Sequence, residues 1–166
     1  MKHAPLVLAA AFILTGASAA LALDPPKGPV VLTVSGAIAN TNGPNGAEFD
    51  LEMLNALEQK ATTSATPWTE GTVTFDGPLG RALLDAVGAT GETMTVVALN
   101  DYSADVPVAD FRDHDVILAT RMDGKEMSVR DKGPLFIIYP FDKEPDLYNE
   151  VYFNRSVWQI AKIDIR

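Results

Sequence analysis

Arginine is the side chain in this sequence best suited to holding a ligand. The chain is acidic, with 13 Lys and Arg against 22 Asp and Glu and a formal charge of −9. A guanidinium at a pocket would act as an anion clamp, because its planar fork meets a carboxylate or an oxyanion in two bonds. Arg121, at the end of an expected strand, and Arg155, just before the last one, are the two candidates; Arg81 lies on the polar side of an expected helix. The alternative for each is an ordinary surface pair with Asp or Glu. Trp68 sits beside a proline in a Thr-rich stretch, where an aromatic ring could cap a ligand pocket or simply pack on a sheet edge. Asn100, Asp101 and Tyr102 fall at a turn between expected strands, a rim position where polar groups meet ligands, although Asn and Asp are also common turn residues.

Other chemistries have less support. His114 stands between Asp113 and Asp115, a setting for weak metal binding, for proton uptake or for a solvated loop. Met122 and Met127 flank an Asp-Gly turn, which suits a copper thioether pair less simply than it suits hairpin packing. The chain has no cysteine, no His cluster at metal spacing, no Gly-rich phosphate loop and no Ser-His-Asp elbow. No residue is therefore singled out as catalytic, and no metal site is read.

The elements that must carry these residues are mostly strands. Residues 30–34 (VVLTV) form a β-branched run, and 71–75 place Val73 and Phe75 on one face. Further strands are expected at 94–99, 102–106, 116–121, 127–130, 135–139 and 157–165, with Asp123-Gly124 as a hairpin turn. Two main helices are expected. The first starts after Asp50, which can cap it while Phe49 and Leu54 staple it, and ends near Leu57. The second starts at Pro78 and carries the apolar stripe Leu79, Ala82, Leu83, Ala86 and Val87, ended by Gly88. Residues 61–68 read only as a Thr-rich approach to the next strand, and 145–150 as a single helical turn. The sum is a single mainly-β domain of the α+β class.

The first 22 residues have another character. Lys2, the apolar run 6–14 and the small-residue patterns at 17–19 and 20–22 have the order of a cleavable secretory signal, with cleavage expected after Ala22 and a mature domain at 23–166. The run is too short to span a bilayer. An exported, periplasmic or secreted protein is expected, with no membrane insertion after cleavage. Nucleic acid is a poor partner for so acidic a surface.

The order of motifs resembles the molybdopterin-binding domain of the sulfite oxidase type, in its compact bacterial form. The matching pieces are LTVSG from Leu32, FDLEMLNAL from Phe49, FDGPLGRALLDAVG from Phe75, NDYSADVP from Asn100, MDGKEM from Met122, KGPLFIIYP from Lys132 and SVWQIAKIDI from Ser156. The resemblance implies that fold and a molybdopterin cofactor whose molybdenum takes one protein cysteine. It places that ligand in the interval Thr62, Thr63, Ser64, Ala65, Thr66, Pro67 and Trp68, which holds hydroxyls and no thiol.

Three functions follow as expectations. The first is an exported domain that keeps the fold without metal-cofactor catalysis and binds a small oxyanion or carboxylate, or a periplasmic or membrane sensor protein. The second is a molybdopterin-dependent oxidoreductase lacking a protein thiolate. The third is an interaction module working through an exposed sheet edge or the Thr-rich segment, with no small ligand.

Overall fold

Alternation of apolar and polar residues builds the largest sheet. In β1 (Leu32–Gly36), Leu32 and Val34 are buried, and in β5 (Thr93–Ala98) Met94, Val96 and Ala98 point the same way. With β2 (Ala47–Phe49), β6 (Ser103–Pro107) and β11 (Ile160–Ile165) they form a five-stranded sheet in the order β2-β1-β11-β5-β6. β1 and β11 are parallel; the other neighbours are antiparallel. The computed structural model describes residues 23–166. The expected leader at 1–22 lies outside the described residues.

A second, antiparallel sheet joins β3 (Gln59–Ala65), β4 (Thr72–Pro78), β8 (Arg121–Met122) and β9 (Lys125–Glu126). Between the two sheets runs an antiparallel pair, β7 (Ile117–Ala119) and β10 (Phe136–Ile138), in which every residue is buried. Leu118 and Ile137 face the core of the large sheet, while Ile117, Ala119, Phe136 and Ile138 face the second core with Val73, Phe75 and Leu79. A ribbon covered on both faces needs a continuous apolar run, which explains why Leu135 to Tyr139 shows no alternation.

Among the described residues four α-helices cover this framework, two more than the two main helices expected. α1 (Leu51–Ala56) starts at Asp50, whose carboxylate accepts from Met53 N at 2.8 Å, and ends at Leu57. α2 (Gly80–Val87) begins two residues later than the proline expected to open it, because Pro78 closes β4 and Leu79 caps the helix. Gly88 ends it in the left-handed conformation at φ 61°. α3 (Val108–Asp113) and α4 (Glu150–Arg155) are six residues each. Helices that short do not complete the two turns over which a 3.6-residue period becomes visible.

Three strand assignments need correction. The Thr-rich segment is β3, since Thr62 and Ser64 point inward and β4 satisfies its backbone. The strand expected at 127–130 is absent. Asp123 and Gly124, at φ 49° and 75°, turn the chain so tightly that β8 and β9 pair over two residues each, and Val129–Asp131 then forms a 3₁₀ turn. β11 starts later than residue 157, after Gln159 at φ 53°, and its register shifts between Ile160 and Lys162.

The Asp50 cap makes acid stability a direct test of this reading. Backbone hydrogen bonds, first from Met53 and then from Gly28 and Lys27, hold the Asp50 carboxyl below the ordinary value of 3.8. A depressed folded-state pKa contributes stability that is present above the unfolded value and is lost as the pH falls through the folded one. Asp50→Asn should therefore flatten the acid limb of a stability profile below about pH 4. An acid limb identical to that of the parent would refute the role.

Candidate functional site

The hairpin joining β5 to β6 has its tip at residues 98–102. Asp101 adopts φ 64°, its N–H donates to Ala98 O at 3.1 Å, and Tyr102 N–H donates to the Asn100 side-chain oxygen at 3.2 Å. Asn tolerates this role because its amide mimics a backbone acceptor. The tip is fastened to the last helix by the Tyr102 hydroxyl, which donates to Asn154 O at 3.2 Å.

Trp68 reaches the same place from the other sheet. After β3 the chain turns through Thr66, whose hydroxyl lies 2.8 Å from that of Thr69 and accepts from Trp68 N at 3.3 Å. The indole packs edge-on against Phe136 at 5.5 Å, Phe153 at 5.8 Å and Trp158 at 5.9 Å between ring centroids. Trp158 is held beside Phe136 by an isolated β-bridge, and Phe153 projects from α4.

These elements enclose a cleft of about 260 Å³ lined by Trp68, Ala98, Asn100, Tyr102, Phe153, Asn154, Ser156 and Trp158. Its walls are mainly aromatic. The Ser156 hydroxyl donates to Tyr152 O at 2.8 Å, and the Asn100 side-chain oxygen is engaged by Tyr102 N–H.

The sequence-singled residues divide accordingly. Trp68, Asn100 and Tyr102 meet in the cleft, and Asp101 stands at the exposed tip between two of them. Arg155 is drawn elsewhere: its Nη1 lies 3.0 Å from Asp110 Oδ2, and its guanidinium sits 5.2 Å from the centre of the Tyr152 ring. The Tyr139 hydroxyl donates to the same Asp110 oxygen at 2.7 Å, and burial, followed by the Asp110 charge, pushes this phenol far above the ordinary tyrosine range. Arg121 lies on β8, paired across the strands with Asp76 and Glu126, and does not line the cleft. The expected anion clamp is thus not assembled at this site.

The remaining candidates have structural partners. Arg81 and Lys60 both bind Asp115 at 2.8 Å, and their hydrogen bonds hold its carboxyl below the usual range. His114 Nδ1 lies 2.6 Å from Glu144 Oε2 rather than in a free loop. Met127 is buried and Met122 partly so, both in the second core, as hairpin packing requires. Among the described residues no group of three His, Cys, Asp or Glu side chains could hold a metal ion.

Sequence reasoning missed Phe153, Asn154, Ser156 and Trp158 as lining residues. Trp158 falls inside the strand expected at 157–165, where an aromatic ring gives no separate signal of a site. A family model for the oxidoreductase molybdopterin binding domain matches residues 50–142, more than half of the chain. No curated protein matches.

Proposed function

Because the chain belongs to the oxidoreductase molybdopterin-binding domain family, the sulfite oxidase type, we propose that it is an exported member that has lost metal-centred catalysis and binds a small ligand in the aromatic cleft. The observation that carries this reading is the donor set of residues 62–68 together with the lining of the cleft. In the interval where the family's molybdenum ligand belongs, Ser64 is buried and its hydroxyl donates to Ala65 O at 3.2 Å, while Thr66 is engaged with Thr69. A neutral hydroxyl is a hard donor and a poor substitute for the soft thiolate that suits molybdenum. The lining also contains no Lys or Arg to meet the phosphate of a pterin cofactor. The residues present do not fit a dithiolene-bound molybdenum centre.

Export is supported by the leader read at residues 1–22, and a membrane-bound sensor partner would share that compartment. Molybdenum analysis of the protein purified from its own host tests the loss of catalysis, and no stoichiometric metal is expected. Stoichiometric molybdenum would replace this reading with the second one, an oxidoreductase whose metal lacks a protein sulfur, which family membership favours. Ligand binding is tested by thermal shift. A compound present at 100 times its Kd should stabilise the fold by about 2.7 kcal/mol, and absence of any shift across small cations, carboxylates, oxyanions and pterins would exclude the cleft as a ligand site.

A further inference from the structure

Resting on the reading of the cleft as a ligand site, we propose that its ligand is a small organic cation, a quaternary or protonated amine, held against the rings of Trp68, Tyr102 and Trp158. Trp68 makes angles of 63° with Trp158 and 81° with Phe153, so the aromatic side chains stand as walls at steep angles and do not form a stack. The face of such a ring carries negative potential and attracts a cation within about 6 Å of its centre.

Charge around the cleft points the same way. None of the lining residues is basic, and Arg155, the nearest arginine in sequence, is held by Asp110. Lys132 Nζ lies 5.6 Å from the ring centre of Trp158, so this ring already draws a cation, and a ligand on it competes with Lys132. The exposed carboxylate of Asp101 stands at the hairpin tip between Asn100 and Tyr102. Residues 23–166 carry twelve Lys and Arg against twenty-two Asp and Glu, a formal charge of −10 that concentrates cations near the surface. A carboxylate or oxyanion would meet ring faces inside the lining, with Lys132 beside Trp158 as its neighbouring cation. The volume of about 260 Å³ falls below the range of pockets for drug-sized ligands, which suits a head group such as trimethylammonium.

Both tryptophans of the chain line the cleft, so intrinsic indole fluorescence reports on this site alone. The intact protein is titrated at constant ionic strength with choline, with its neutral tert-butyl isostere in which carbon replaces nitrogen, and with acetate and sulfate. Saturable quenching by choline is expected, at least about tenfold tighter than by the isostere. Tyr102→Phe, which removes the bond to Asn154 O and keeps the ring, should bind choline as the parent does, while Tyr102→Leu should weaken choline about tenfold; equal weakening in both would remove the ring from the site. Equal binding of choline and its isostere, or binding of acetate or sulfate in place of choline, would overturn the cation inference and leave the cleft a ligand site. Silence from every titrant would overturn both.

Discussion

Asp110→Ala is expected to lower the melting temperature by about 10 °C, a loss of about 3 kcal/mol in a domain of this size. Asp110 is 7 % exposed and accepts two hydrogen bonds, from the Tyr139 hydroxyl at 2.7 Å and from Arg155 Nη1 at 3.0 Å. Its removal leaves a buried phenol without an acceptor and a guanidinium paired only with the Tyr152 ring. Because Arg155 retains some contact with water, the expected loss sits at the lower end of what a broken buried pair costs. Tyr139→Phe, which removes one hydroxyl and keeps the ion pair, should cost about 1 kcal/mol. Asp85→Ala removes the partner of Arg112 at an exposed position and should leave stability nearly unchanged. Thermal denaturation of the three variants checks the order. If Asp110→Ala behaved like Asp85→Ala, the network would have no role in fastening α3, the segment after β10 and α4. The consequence for function is direct, since α4 contributes Phe153 and Asn154 to the cleft.

Gly77→Ala should cost about as much through a different cause. Gly77 lies in β4 where that strand crosses the central ribbon. A Cβ there would meet the backbone carbonyl of Leu118, with the Ala119 Cα at 2.8 Å. Neither obstacle is the end of a flexible side chain, so β4 and β7 would have to part, stretching the bond from Thr120 N–H to Asp76 O, now 2.9 Å. Overpacking of this kind costs about 1–3 kcal/mol, and the upper end is expected where backbone meets backbone. Gly28→Ala is the control, because its added methyl would lie 3.5 Å from Asp50, an ordinary contact. Urea denaturation should show a lowered midpoint for Gly77→Ala and almost none for Gly28→Ala. Equal midpoints would mean that the two layers are not packed as described.

Local chemistry made part of this fold legible. Asp50 and its staple, Gly88 and the Asp123-Gly124 turn each act within a few residues, so their neighbours in sequence suffice to recognise them. β3 was obscured because Thr and Ser suit loops as readily as strands, and its inward-facing hydroxyls are explained only by pairing with β4. In the cleft, Trp68, Asn100 and Tyr102 stood out as an aromatic and polar groups beside turns. Phe153 and Trp158 did not, because Trp158 falls in the strand expected at 157–165, where a ring is more simply read as core, and no expected element covers Phe153.

The arginines mark the boundary between the two kinds of knowledge. Residue types alone establish that this chain cannot offer a thiolate to a metal and that it carries a large negative charge. Whether a given guanidinium is free to meet a ligand depends on its partner, and Asp110 lies 45 residues from Arg155. Caps and turns arise from bonds between close neighbours along the chain. The cleft arises from a hairpin tip, a turn and a helix brought together by packing around the buried ribbon, and that packing alone converts scattered aromatic residues into a wall with a charge preference.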